Sequence, residues 1–165
     1  MSKNLRSFLP LPLAVIVGFG LVVTLAGLPG CGSGEPFSYV KVSGKVSYDD
    51  GSLIPADRLR VVFISQVPPL DPKAPSPNGI ADADPKTGSF DLVTSHNHGD
   101  GLVPGEHKVL IQAISKDKLG KETLRSDLVP PEYGNPEKTP LVVNTNKLPF
   151  DLRVQKPVPV KAKGK

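Results

Sequence analysis

The sequence predicts an all-β fold, a sandwich or barrel of seven short strands, and two observations carry this prediction. Apolar and polar residues alternate along short stretches of the chain, which is the period of a strand with one buried face. Turn-forming residues separate these stretches, and the chain contains 19 prolines and 16 glycines. Short strands separated in this way are typical of a β-sandwich or a β-barrel.

The first predicted strand has the clearest alternation. The segment YVKVSGKVSY, residues 39–48, presents lysines and serines on one face, and the other face carries Val40, Val42, Gly44, Val46 and Tyr48. This pattern predicts a strand with one buried face. The sequence DDG at residues 49–51 then predicts a turn.

Six further segments complete the predicted set. LRVVFIS is apolar on both faces apart from Arg60 and is rich in β-branched residues, which suits a central strand. GIADAD and SFDLVT flank a hairpin-like connection, and HKVLIQAIS is followed by PLVVNT and PFDLRVQ. In chain order these segments span residues 59–65, 79–84, 89–94, 107–115, 140–145 and 149–155.

Two connections are long. Residues 66–78 contain five prolines and predict an exposed, stiff loop. Residues 116–139 allow only a weak helical turn near 118–124, because Gly120 interrupts it and no amphipathic face is sustained. The strand phases predict a core made of Val42, Val46, Val61, Phe63, Phe90, Leu92, Val109, Ile111, Val142 and Leu152.

The N-terminal segment has the pattern of a secretory signal. Lys3 and Arg6 precede an uncharged run from Phe8 to Gly30 whose centre is apolar. Pro10 and Pro12 interrupt the early part, so the run is borderline for a membrane span, which needs about 20 apolar residues. The sequence therefore favours a signal peptide that spans residues 1–30.

Cys31 is the only cysteine of the chain and cannot form an intramolecular disulfide. The stretch LPGC, residues 28–31, resembles a bacterial lipobox, which implies that Cys31 receives a diacylglycerol group and becomes the mature N-terminus. Leu28 and Gly30 fit the apolar and small positions of that motif, whereas Pro29 departs from it. The alternatives are an uncleaved anchor helix containing the cysteine, or a reactive thiol in a folded site.

These features divide the chain into four parts. A signal peptide (1–30) precedes a lipidated flexible tether (31–38), a β-sandwich domain (39–155) and a disordered tail rich in lysine and proline (156–165). The formal net charge is +4, and removal of Lys3 and Arg6 with the signal leaves +2. The composition therefore gives no support for nucleic-acid binding.

Four motifs in order resemble a known family: VSGKVSYDDGSLIP, GIADADPKTGSFDL, GDGLVPGEHKVLI and VPPEYGNPEKTPLVV. Together they are similar to bacterial lipoproteins with a transthyretin-like, or carboxypeptidase-regulatory-like, domain. The resemblance implies a seven-stranded prealbumin-like (Ig-like) β-sandwich on the outer side of a membrane. It does not imply an enzyme, and in the carboxypeptidases this module carries no zinc ligands. The family usually has tyrosine where this chain has His107, and we expect this histidine to pack inward and hydrogen-bond to a loop.

Two clusters could bind a metal ion, and each has a simpler interpretation. His96 and His98 point the same way on an extended segment and lie close to Asp100, but no third ligand is identified, which favours a polar loop at the rim of the sandwich. Asp82 and Asp84 resemble the start of a calcium loop but lack its later acidic ligands, which favours a turn. No nucleophile elbow, phosphate loop or zinc-cysteine pair is present, so we expect neither an enzyme nor a cofactor.

Three functions remain open: a lipid-anchored binding or interaction module, which we favour, a structural component of a cell-envelope assembly, and a metal-binding periplasmic protein using His96 and His98. The expected partners are membrane lipid, through acylated Cys31, and an envelope protein or glycan. Gly32 lacks the acidic charge that retains many lipoproteins at the inner membrane. The lipobox resemblance therefore implies an extracytoplasmic location, with the outer membrane favoured.

Replacing Cys31 with serine tests the lipobox. The wild-type protein is expected to lose residues 1–30, gain acyl mass and partition into detergent, whereas Cys31→Ser stays an uncleaved precursor. Two acyl chains give stable anchoring because each buried methylene contributes roughly 0.8 kcal/mol. Mass spectrometry and detergent partitioning measure both effects. An unmodified wild type that keeps residues 1–30 would identify the segment as an anchor helix instead.

Overall fold

A computed structural model describes residues 36–157, and this part of the chain is almost entirely β-structure. It contains eight strands and one four-residue 3₁₀ helix, Pro131–Gly134. The strands are β1 Gly44–Tyr48, β2 Arg58–Ser65, β3 Gly79–Ala83, β4 Ser89–Phe90, β5 Glu106–Lys116, β6 Glu122–Leu124, β7 Val142–Asn144 and β8 Phe150–Val154.

The strands form two sheets. The first sheet has the order β4-β1-β8, in which β1 pairs antiparallel with β4 and parallel with β8. The second sheet has antiparallel pairs in the order β3-β2-β5, and its centre is the long pairing of β2 with β5. Two short strands, β6 and β7, pair with opposite ends of the remaining edge of β5.

The core lies between the two sheets, and Phe63 of β2 joins them. The Phe63 ring is fully buried, with its centroid 5.9 Å from Phe90 and 5.9 Å from Phe150, both on the first sheet. Eight of the ten predicted core residues are buried, which confirms the strand phases that placed them: Val42, Val46, Val61, Phe63, Phe90, Val109, Ile111 and Leu152.

The prediction that Leu92 is buried is wrong, because this side chain is 48% exposed. The predicted strand 89–94 is not continuous. Its first part pairs with β1 in the first sheet, whereas Thr94 forms a bridge to Ile80 in the second sheet. The alternation breaks where the chain crosses between sheets, so Val93 is buried in place of Leu92.

The prediction that Val142 is buried is also wrong, because it is 50% exposed. In β7 the residue paired with inward-facing His107 is Val143, whereas Val142 pairs with Lys108. Directly paired residues share a face of the sheet, so Val142 points outward. Leu141 and Val143 pack against the core instead.

The prediction of seven strands missed β6. All three of its residues are exposed, so the sequence there has no apolar alternation. The residues that suggested a weak helical turn instead form a hairpin turn, in which the Asp117 carboxylate accepts the N–H groups of Leu119 and Lys121. Gly120 supports this turn with a φ of 79°.

The long connection between β6 and β7 closes one side of the core. Val129 and Tyr133 are buried in it. The Tyr48 hydroxyl donates to the Leu128 carbonyl at 2.8 Å, and the Gln155 N–H donates to the Tyr133 hydroxyl at 3.0 Å. The segment is therefore held to both β1 and the end of β8.

Truncating Phe63 and Leu92 to alanine separates core from surface. Phe63→Ala is expected to lower the free energy of unfolding by about 3–5 kcal/mol, because it removes contacts to both sheets and leaves a cavity. Leu92→Ala is expected to change it by less than about 1 kcal/mol, because that side chain is half exposed. Urea unfolding measures both values. Equal losses in the two variants would contradict the strand phases.

Candidate functional site

The outer faces of the two sheets differ in character. Most outward side chains of the first sheet, and the residue that follows β4, are polar or charged and exposed: Lys45, Ser89, Asp91, Asp151 and Arg153. Ser47 is polar too but is 1% exposed. Asp151 and Arg153 form an ion pair at 2.9 Å on this face. A face of this kind is expected where a sheet meets water.

The outer face of the second sheet instead carries a row of aliphatic side chains. Val62 pairs with Ile80 on one side and with Leu110 on the other, so the three lie side by side across β3, β2 and β5. Ile64 extends the row along β2, and Ile80 is 47% exposed. We call this surface, together with Val142, the aliphatic face. The sequence signal for this face is the segment LRVVFIS, which is apolar on both faces apart from Arg60.

A network of ion pairs borders the aliphatic face. Arg58 makes two hydrogen bonds to the Asp82 carboxylate, at 2.6 and 3.0 Å, and this contact raises the pKa of Arg58. Glu122 lies 3.4 Å from Arg58 and 3.6 Å from Lys116, and Arg60 lies 3.7 Å from Asp82. The border therefore carries both signs of charge, largely paired.

A broad, open groove of about 1010 Å³ crosses the neighbouring edges of β3 and β4. Its charged lining residues are of both signs: Lys45, Asp57, Arg58, Asp82, Asp84, Asp91, Asp151 and Arg153. None of its lining residues is a histidine or a cysteine. The groove thus offers polar contacts but no imidazole or thiol for nucleophilic chemistry.

The candidate metal residues His96 and His98 lie in an exposed loop. The Asp100 carboxylate accepts three backbone N–H groups of this loop, from Ser95 at 2.8 Å, His96 at 2.9 Å and Asn97 at 2.7 Å. Burial raises the pKa of Asp100, but these hydrogen bonds outweigh it and the pKa lies below its usual range. Within residues 36–157, no three His, Cys, Asp or Glu side chains are arranged to hold a metal ion.

The two aspartates of the calcium-like motif have separate roles. Asp84 closes the connection between β3 and β4, with its carboxylate accepting the Lys86 N–H at 2.8 Å and its carbonyl accepting the Gly88 N–H at 2.6 Å. This confirms the predicted turn for Asp84. Asp82 belongs to the ion-pair border described above and does not bond within the turn.

His107 is fully buried, packed edge-on against the Phe63 ring at a centroid distance of 6.5 Å. Its Nε2 lies 2.9 Å from the Val103 carbonyl oxygen and therefore carries the proton, while Nδ1 has no hydrogen-bond partner among the described residues. These contacts confirm the expected inward packing and the hydrogen bond to a loop. Burial lowers the pKa of His107, and the bond to Val103 only partly offsets this.

Cys31 and the other lipobox residues, Leu28, Pro29 and Gly30, lie outside the described residues. Between residues 36 and 157 the chain contains no helix with the length and apolar character needed to span a membrane. The proposed anchor therefore depends on the sequence pattern of the N-terminal segment.

Acid is expected to destabilise the fold through His107. Because burial lowers the pKa in the folded state, the unfolded chain takes up the proton first, near its ordinary pKa of about 6.5. The free energy of unfolding should therefore fall as the pH drops below about 6.5, down to the folded-state pKa. His107→Phe should remove this part of the pH dependence in urea unfolding. If the pH dependence of the free energy of unfolding is unchanged in His107→Phe, His107 is not its source. If the variant does not fold, an NMR titration of His107 in the wild type gives its pKa directly.

Comparison with known proteins provides no independent assignment. The chain has no significant match among protein families, curated proteins or solved structures. The resemblance to transthyretin-like lipoproteins therefore rests on the four sequence motifs.

Proposed function

We propose that this protein is a membrane-anchored extracytoplasmic lipoprotein that acts as a non-catalytic interaction module. The observation that carries the proposal is the aliphatic face. A sheet face open to water normally carries polar residues, as the first sheet does. Ile80 and Val142 are instead 47% and 50% exposed beside Val62 and Ile64 on the second sheet.

The proposed fold is a prealbumin-like sandwich. Two sheets that enclose one core support it, and so does the order of the family-like motifs along the chain. Acylated Cys31 would hold this domain to the membrane through the short tether 31–38. Such an arrangement suits a module whose binding surfaces lie on its sheets and loops rather than around a reaction centre.

The partner proposed for the aliphatic face is another protein. Apolar side chains at its centre and paired charges at its border match the arrangement of protein interfaces, which have an apolar core and a polar rim. The border charges are of both signs and already paired, which does not suit the phosphates of a nucleic acid or an anionic membrane. A partner with an apolar patch flanked by charged groups fits best.

Site-specific photo-crosslinking in cells tests this function. A photoreactive residue at position 80 or 142 is expected to yield one adduct of defined mass, which mass spectrometry identifies. Position 89, on the polar outer face of the first sheet, is the matched control and should give no such adduct. Adding Val62→Lys should abolish the adduct at position 80, because a charged side chain cannot be buried unpaired at low cost.

Three results would overturn the proposal: no adduct at positions 80 and 142, equal adducts at all three positions, or an adduct that is insensitive to Val62→Lys. An adduct with twice the mass of the chain would identify the partner as a second copy. Circular dichroism of each variant checks that the fold is retained.

A further inference from the structure

β8 is an edge strand of the first sheet, and among the described residues only β1 pairs with it. The Phe150 N–H donates to the Ser43 carbonyl, and the Val154 carbonyl accepts from the Asp49 N–H, both at 2.9 Å. Phe150 and Val154 therefore direct these backbone groups towards the side of β1. Backbone groups alternate between the two edges of a strand, so the residues in between at odd positions face the outer edge.

Asp151 and Arg153 are the strand residues that face this outer edge. Each presents one N–H and one carbonyl there, and within residues 36–157 no hydrogen bond reaches these backbone groups. The Asp151 and Arg153 side chains are 58% and 48% exposed, so this part of the edge lies at the surface of the domain. The next edge-facing residue is Gln155, whose N–H already donates to the Tyr133 hydroxyl at 3.0 Å.

The two edge-facing residues carry opposite charges. Charged side chains on an open edge usually prevent pairing with another chain, because like charges meet. An antiparallel second copy of β8, centred on Leu152, instead sets Asp151 opposite Arg153 of the other copy, and Arg153 opposite its Asp151. Directly paired side chains share a face of the sheet. Each carboxylate then lies between two guanidinium groups, one in its own strand at 2.9 Å and one in the other copy.

The free backbone groups select the same register. Centring the pair on Asp151 sets two aspartates opposite each other, and centring it on Arg153 sets two arginines opposite each other, which destabilises a sheet. Centring it on Leu152 also brings Pro149 opposite Gln155 at each end. Proline has no N–H, and the Gln155 N–H already has a hydrogen-bond partner. The pairing therefore ends where the free donors of the edge end.

A recess beside the start of β8 leaves room for a second copy. It has a volume of about 290 Å³ and lies between β7 and β8, with Val142, Asn144, Phe150 and Asp151 among its lining residues. In the antiparallel register, the end of the second copy's β8 arrives beside this recess and brings with it the Tyr133 side chain bonded there. The bulkiest part of one edge thus meets the open part of the other.

We propose that this protein forms a symmetric dimer in which the β8 strands of two copies pair antiparallel about Leu152. The pairing joins two three-stranded sheets into one continuous sheet. In a two-fold interface the same surface is used on both copies, so each contact between Asp151 and Arg153 occurs twice. The interface lies on the edge of the first sheet and goes beyond the function proposed for the aliphatic face.

Sedimentation of the full chain in density-matched detergent tests the dimer at concentrations from about 10 µM to about 1 mM. The wild type is expected to become dimeric within this range. Asp151→Arg should raise the Kd of the dimer at least about tenfold, because it replaces two pairs of opposite charge with two pairs of like charge. Adding Arg153→Asp restores opposite charges and should return the Kd to within about threefold of the wild-type value. Ser89→Arg, on the other edge strand of the same sheet, is the matched control and should leave the Kd unchanged.

Amide hydrogen exchange identifies the strand that pairs. In the wild type, the amides of Asp151 and Arg153 should exchange at least about tenfold more slowly at the dimeric concentration than at the monomeric one, because pairing engages them in hydrogen bonds. The Leu152 amide is directed towards β1 and should be protected at both concentrations. NMR of the ¹⁵N-labelled chain measures all three.

A wild type that stays monomeric at the highest concentration would overturn the dimer. So would a Kd that a folded Asp151→Arg leaves unchanged, a double variant that does not regain the dimer, or equal exchange of Asp151 and Arg153 at the two concentrations. If Asp151→Arg fails to fold, the exchange comparison on the wild type still decides. The crosslink at position 80 lies on β3, at the opposite edge of the second sheet from β7, and should persist in Asp151→Arg. The two proposals therefore fail separately.

Discussion

The packing of Phe63 between the two sheets is the contact on which the rest of the structure depends. Its ring touches Phe90 and Phe150, which lie on either side of β1 in the first sheet, and His107 in its own sheet. Gly44 makes this possible, because a Cβ there would lie 2.7 Å from the Phe90 ring and 2.7 Å from the Phe150 carbonyl oxygen. The missing side chain at Gly44 leaves room within the first sheet for the Phe90 ring and the Phe150 backbone on either side of β1, so both aromatic rings can pack against Phe63.

The inner face of the second sheet packs in the core, and its outer face carries the aliphatic face proposed for binding. Its central pair, β2 with β5, is covered on the inner face by the first sheet. On the outer face, Val62 and Ile64 of β2 are partly exposed, whereas Leu110 and Ile114 of β5 are buried. Because β6 and β7 are short, they leave the middle of β5 unpaired, and the loop between them closes the core without completing the edge. The second sheet therefore has an outer face that carries aliphatic side chains and, at Ile111, an edge position without a strand partner among the described residues.

The polar clusters that stand out in the sequence are used for folding. Asp100 and Asp84 satisfy backbone N–H groups of their loops, and Asp82 pairs with arginines across the sheet. Aspartate is common in turns because its carboxylate accepts local N–H groups, and the same residue type in the same spacing also suits metal binding. Residue spacing alone cannot separate these roles, because they differ in which groups the carboxylates face after folding.

The sequence by itself determined the strands that keep a regular period. The alternation in β1 and β5 placed Val46, His107 and Ile111 inside, since a half-buried strand leaves a two-residue pattern that needs no tertiary information. The proposal that Cys31 is lipidated also depends on the sequence alone. Only the tertiary structure decided the rest: Leu92 and Val142 lie outside because the chain changes sheets near one and pairs with β5 at the other. β6, the aliphatic face and the unpaired edge at Ile111 depend on which strands meet, and local patterns do not encode that choice.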